Sequence, residues 1–382
     1  MMQERRIRHP WLAAAGLALM AGPAAWLLFA LAPPAPAAAP LELAAAIDAP
    51  MPTGVAVSAA GRLFLCFPRW GDPVAFTVAE IRDGAPIPYP NAAFNAPFGN
   101  PRGRWVSVQS VVVDARDRLW VLDTGIDAGT VVPGGAKLAC VDLATDRVVH
   151  TITFPGDVLL ATTYLNDVRF DLKRGAAGIA YITDSSPAGP NAIIVVDLAS
   201  GAAWRRLNGH RSTRPDTNCV PVVEGEPLAI VLADSTRIPF RVGADGIALA
   251  PDGKTLYYCP LTARRLYAVS ADALAASALA DAEVARTVRD LGEKPASDGL
   301  EMDADGTLYA TAYELDAILR RTADGRWDTL AADPRLQWPD SIALTADGHL
   351  LVTANQLHRQ PMFHGGRDRR HPPYAVFRIP IR

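Results

Sequence analysis

From residue 53 onward the chain is built of short runs in which apolar and polar residues alternate with period two, the spacing that puts every second side chain on one face of a strand. Six stretches share one layout: a small or polar pair, an apolar strand, a tight turn and a second apolar strand. They are Thr53-Gly54-VAVSAAGRLFLC, Gln109-Ser110-VVVDARDRLWVLD, Asn166-Asp167-VRFDLKRGAAGIAYITD, Asp245-Gly246-IALAPDGKTLYYC, Asp298-Gly299-LEMDADGTLYAT and Asp340-Ser341-IALTADGHLLVTAN. Three of the turns carry Asp-Gly, whose tolerance of positive φ suits a tight hairpin. Further strand-like runs follow most hairpins, which makes about four strands per repeat. Four-stranded units repeated six times predict an all-β fold, a six-bladed β-propeller of four-stranded blades. The sixth repeat has one obvious run after its hairpin, at 374–379, so the N-terminal run 41–47 is expected to add the outer strand and close the ring. An Ala-rich stretch at 270–288 predicts a short helix within the fourth repeat. The segment 208–244 reads as a long insertion, expected to cap one mouth of the axial channel.

Composition narrows the classes. Of 382 residues, 50% are hydrophobic, and the net charge of −3 leaves no basic surplus for nucleic acid. Residues 1–39 have a cationic start, an apolar run at 11–31 and a small-residue end, the parts of an export signal. The apolar run is long enough for an uncleaved anchor as well. The expectation is an exported propeller spanning 41–382, periplasmic or extracellular and monomeric, touching a membrane only through the N-terminus. Among the cysteines, Cys66 and Cys140 fall in apolar strands and read as buried thiols. Cys219 and Cys259 form the better disulfide candidate.

If each hairpin is the inner half of a blade, the residue before its first strand and the residue after its second meet at one channel mouth. Gln109, Asn166, Asp167, Asp245, Asp298 and Asp340 would come from the first set. Arg69, Trp70, Asp123, Asp184, Tyr313, Glu314, Asn355, Gln356 and His358 would come from the second. Carboxylates and amides crowded round one axis repel unless a cation joins them, and oxygen donors suit Ca²⁺. The alternative is that each Asp only caps a turn. Three histidines, His358, His364 and His371, share an Arg-rich loop that reads as solvated.

Several segments resemble the yellow/major royal jelly family, particularly its bacterial, dopachrome-tautomerase-related members. They include FPRW (67–70), SVQSVVVD (107–114), RLWVLDTG (118–125), YLNDVRFD (164–171), EKPASDGLEMD (293–303), WPDSIAL (338–344) and ANQLHR (354–359). The resemblance implies a six-bladed propeller with a small-molecule site at the channel mouth. It also implies one of two functions, isomerisation of an aminochrome or non-catalytic binding of aromatic amines. For isomerisation, His358, Asp184 or Glu314 are the candidate bases. Arg69, Tyr313 and Asn355 would orient oxygens, with Trp70, Gln109, Asp123 and Gln356 lining the site. More distantly the architecture is similar to gluconolactonases and paraoxonases, which implies a metal-dependent lactonase as a further alternative. On that pattern an axial Ca²⁺ would take Asn166 with Asp245 or Asp298, Asp340 being a further metal candidate at the same mouth, while Thr53-Gly54 stands where those enzymes place a first-blade Glu.

Overall fold

Each of the six repeats folds into an antiparallel four-stranded sheet. The computed structural model describes residues 39–48, 50–322 and 324–381; the expected export segment lies outside these, apart from Ala39. Blade 1 is Val55–Val57, Leu63–Cys66, Val78–Arg82 and Ala85–Pro88, from the axis outward. Blade 2 is Val108–Val113, Arg118–Asp123, Lys137–Asp142 and Arg147–Thr153. Blade 3 is Leu165–Asp171, Ile179–Asp184, Ala192–Asp197 and Ala203–Arg206. Blade 4 is Ala244–Leu249, Thr255–Pro260, Arg265–Ser270 and Arg289–Glu293. Blade 5 is Leu300–Met302, Leu308–Ala312, Ala317–Arg321 and Trp327–Ala332. The six innermost strands lie one against the next, and the sixth lies against the first, so the sheets form a ring.

Blade 6 takes its inner three strands, Pro339–Leu344, His349–Ala354 and Tyr374–Pro380, from the C-terminus. Its fourth is Glu42–Ile47, paired antiparallel with Tyr374–Pro380 so that Ile47 faces Tyr374. Ile47 is fully buried, in one cluster with Leu65, Phe67 and Val376.

The penultimate or last residue of the second strand stitches neighbouring blades together. Thr183 Oγ1 donates to the Asp245 carbonyl at 2.8 Å, and Thr353 Oγ1 to the Thr53 carbonyl at 2.7 Å, joining blade 6 to blade 1. Cys66 occupies the same place in blade 1, its Sγ donating to the Gln109 carbonyl at 3.1 Å, and the Cys259 Sγ lies 3.8 Å from the Ser297 carbonyl. A thiol therefore does a threonine hydroxyl's work at two of the joints. This also corrects the disulfide expectation: Cys219 and Cys259 are free, as are Cys66 and Cys140, and all four are buried. Burial pushes the Cys66 thiol up to about 12, so it stays protonated and able to donate.

Two short helices, Ala271–Ala275 and Asp281–Ala285, occupy the Ala-rich stretch between the third and fourth strands of blade 4. The insertion carries two small hairpins, Val222–Val223 with Glu226–Pro227 and Ala229–Val231 with Arg237–Pro239. Its Val223, Leu228 and Val242 pack on Tyr313, Trp338 and Leu357, which covers the mouth where the innermost strands begin. Among the described residues no helix is long and apolar enough to cross a membrane.

Candidate functional site

In blades 3, 4 and 6 the recurring pair sits where the ladder breaks. Register slips between Leu165 and Val168, between Ala244 and Ile247, and between Pro339 and Ile342, so the Asn166-Asp167, Asp245-Gly246 and Asp340-Ser341 pairs occupy bulges. A bulge inserts an extra residue and re-aims side chains, here toward the axis. The freed amides find threonines: Asp298 and Gly299 N–H both donate to Thr311 Oγ1 at 3.0 Å, and Ser341 N–H to Thr353 Oγ1 at 3.1 Å.

The result is a small polar cavity on the axis. Gln109, Asn166, Asp167, Asp245, Asp298 and Asp340 all line it, and its volume is about 10 Å³, room for about one water or bare ion. All four residues expected to hold a metal therefore reach one place. Asp298 accepts from Trp338 Nε1 at 2.7 Å and Asp340 from Asn355 Nδ2 at 2.6 Å. Asp245 and Asp298 stand as neighbouring buried acids, an arrangement that favours one carboxyl keeping its proton. Burial, then the neighbouring acids, hold Asp245 and Asp340 well above the usual carboxylate range. Burial lifts Asp298 to about 6. The donor set has a hard cation's chemistry, yet among the described residues no three His, Cys, Asp or Glu side chains are grouped closely enough to hold a metal. The Asn166 side chain forms no hydrogen bond among the described residues and opens onto the cavity.

The residues after the second strands do something different. Asp123 accepts from the Val106, Ser107 and Gly125 amides and from Lys137 Nζ at 2.7 Å, and it is fully buried. Asp184 accepts from the Tyr164 and Ser186 amides and from Arg205 at 2.8 Å. Glu314 accepts from the Val222 and Ala296 amides and pairs with Arg264. Each carboxylate thus anchors a loop and is neutralised by its own cation. Arg69 spends its guanidinium on the Val106, Val74 and Asn95 carbonyls, and Gln356 brackets the His371 backbone. Asn355 also caps Leu357 N–H. Each of these side chains therefore has a partner within the protein at the mouth that the sequence singles out.

Two aromatic groups bond residues that line the small cavity. Trp70 Nε1 donates to the Tyr164 hydroxyl at 2.6 Å, which donates to Gln109 Oε1 at 2.9 Å, a chain across three blades. On the other side Tyr313 stacks on Trp338 at 4.2 Å, and Trp338 on His358 at 5.9 Å. Burial, the largest influence, lowers the His358 pKa, and neither ring nitrogen has a hydrogen-bond partner; Glu224 lies 3.2 Å away but out of line. Tyr164 and Trp338 escape a reading of strand ends because one precedes its strand and the other sits at positive φ in a loop.

The open space lies at the opposite end. From the layer of Ser110, Asp167 and Ser341 a funnel of about 770 Å³ widens toward the hairpin turns, and all six inner strands line it. Its wall is mostly apolar, with Val57, Val111, Phe170, Met302 and Leu344. Polar groups gather at its narrow end: Arg169 bonds Asp167 at 2.9 Å, lies 3.4 Å from Glu301 and leaves its own Nε without a partner. Ser110 donates to Asp167 at 2.7 Å. Burial raises the Glu301 carboxyl above its ordinary value, partly countered by Arg169. Neither Arg169 nor Glu301 stands out in the sequence, because each lies inside an inner strand and looks like an ordinary strand residue.

A sequence profile described as "Major royal jelly protein" matches residues 106–368. Protein yellow of Drosophila melanogaster is 30% identical over 227 residues, 55% of this chain and 39% of that protein. Major royal jelly protein 1 of Apis mellifera is 27% identical over 202 residues, 50% of this chain and 43% of that one. The aligned part thus spans about two fifths of these relatives' length. Among solved structures, a gluconolactonase from Xanthomonas campestris superimposes with a TM-score of 0.51 at 13% identity, covering 90% of this chain and 96% of that one. A calcium-binding protein, regucalcin, from Agrobacterium tumefaciens gives 0.52 at 16% identity, covering 88% and 93%. At these identities the two structures speak for the fold alone.

Proposed function

Since the chain belongs to the major royal jelly protein family, we propose that it is an exported binder of a small aromatic amine, held in the axial funnel without chemical conversion. The observation that carries this reading is the funnel itself. It has the volume of a small-molecule site, apolar walls for a ring, and two carboxylates against one guanidinium at its narrow end. An ammonium group would meet Glu301 and Asp167 there, and the chain's export rests on the composition of residues 1–39. Titration calorimetry with tyramine is expected to saturate, with Glu301→Gln weakening it about fivefold or more through loss of a partly desolvated charge contact. Absence of heat, or equal affinity for an uncharged phenol of the same size, overturns the reading.

Isomerisation of an aminochrome needs a base beside the substrate. Asp184 and Glu314 are committed to loops and cations, and His358 lies behind Trp338 on the covered side; none lines the funnel. In the funnel the Glu301 and Asp167 carboxylates are taken up by Arg169 and by the ligand's ammonium, so purified protein is expected to leave the rate of dopachrome conversion at its buffer value.

A second reading, a cation-dependent lactonase, is favoured by the meeting of Asn166, Asp245, Asp298 and Asp340 at one cavity. As they stand the carboxylates do not assemble into a metal centre, and no step is derived through one. Their titration distinguishes the cases. Without a cation, raised carboxyl pKa values mean that stability is full below the unfolded value, near 4, and is lost as pH rises through about 6 for Asp298 and through the raised values of Asp245 and Asp340. Asp245→Asn, which removes one of the crowded buried carboxylates, is then expected to raise the melting temperature by roughly 2–5 °C at about pH 8. If a cation is bound, the same substitution and EDTA each lower it, and elemental analysis of the untreated protein finds the metal.

A further inference from the structure

We infer that the protein carries an anion-binding groove outside the axial channel, between the start of the insertion and the outer half of blade 4, suited to a small doubly charged oxyanion. The groove has a volume of about 700 Å³. Arg211 and Arg214 line it from a tight turn, Arg265 and Tyr267 from the third strand of blade 4, and Asp290 from the fourth.

The turn is rigid by construction. Ser212 and Thr213 are fully buried. Ser212 bonds the Tyr258 hydroxyl at 2.6 Å, and Thr213 Oγ1 donates to the Leu207 carbonyl at 2.9 Å and lies 2.9 Å from the His210 carbonyl. Arg214 N–H closes the turn on His210 at 3.2 Å. With the middle two residues pinned inward, Arg211 and Arg214 are exposed and face one groove. Neither guanidinium has a hydrogen bond or ion pair among the described residues.

Three arginines face two acids in the groove, so its lining keeps one net positive charge. Asp290 is occupied by Arg265 Nε at 2.8 Å, and Asp216 caps the Asn218 amide at 2.9 Å. Arg241, bonded to the Asp216 and Thr217 carbonyls, adds positive charge behind the wall. Two free planar donors match the paired oxygens of a phosphoryl or carboxylate group, and the Tyr267 ring with Pro215 offers an apolar surface for the body that bears it.

The test is calorimetric titration of the full chain with phenyl phosphate and, in a parallel arm, phthalate, at low ionic strength. Either the phosphoryl or the carboxylate probe is expected to saturate at one site, and the stronger identifies the ligand's head group. Arg211→Gln with Arg214→Gln is expected to weaken that binding about tenfold or more, whereas Arg147→Gln, an exposed arginine on blade 2, leaves it unchanged. Both paired arginines are surface residues, and an unchanged circular dichroism melt shows that the double variant is folded. The inference is overturned if neither probe saturates, if the double variant binds as well as the parent, or if Arg147→Gln weakens binding equally. It does not depend on the axial reading, since tyramine binding in the funnel should survive the double substitution.

Discussion

Removal of residues 41–47 is expected to lower the melting temperature by roughly 10 °C. The strand Glu42–Ile47 forms the outer edge of a blade whose other three strands come from the opposite end of the chain. Its deletion uncovers the buried Ile47 and Ala45 contacts, about 3 kcal/mol on an area basis. It also strips the ladder partners of Tyr374–Pro380 along five paired positions, at about 0.5–1.5 kcal/mol for each hydrogen bond lost. The exposed strand becomes a free edge, so the truncated chain should also associate at micromolar concentration. Calorimetric melting beside light scattering reads both effects. Ile47→Ala, which keeps the strand and removes part of the packing, should lie between parent and truncation at about 2–4 kcal/mol. A melt unchanged by truncation would show that the ring holds without this strand.

How much of this was legible beforehand depends on what each feature is made of. The blades could be read because alternation and Asp-Gly turns are local signals: Gly253, Gly306 and Gly348 all take positive φ at those turns. The meeting of Asn166, Asp245, Asp298 and Asp340 could be read too, since equivalent positions in a ring must converge. What those residues enclose could not. Cavity size depends on how far Trp70, Tyr164, Tyr313 and Trp338 reach across the mouth, and on an insertion whose hairpins have little strand pattern. Post-strand acids looked like site residues because the partners that occupy them, Lys137, Arg205 and Arg264, are distant in sequence or on another strand. One missed signal was available: Thr183, Thr311 and Thr353 stand at equivalent places, and Cys66 and Cys259 fill the same place in two other repeats.

Gly299→Ala should cost about 3 kcal/mol or more, a large effect for one methyl group. A Cβ at Gly299 would stand 2.3 Å from the Asp340 carbonyl oxygen and 3.2 Å from Ser341 Cα, so backbone of the next blade, not a flexible side chain, would have to move. Gly246 meets the Asp298 carbonyl at the same 2.3 Å, which shows that the second residue of the pair is the contact between successive inner strands. Overpacking of this kind usually costs about 1–3 kcal/mol, and a closed ring has no free end through which to relax it. The acidic cavity should feel the same shift, because Asp298 and Asp340 flank the collision. A Gly299→Ala variant that still folds is therefore expected to lose the steep pH dependence of stability near 6, as its carboxyl groups separate and regain water. Ser341→Ala is the matched control: it shortens a side chain already facing the channel, and its melt should stay within about 1 kcal/mol of the parent. Equal stability of Gly299→Ala and the parent would mean that the inner strands are spaced more widely than this close approach requires.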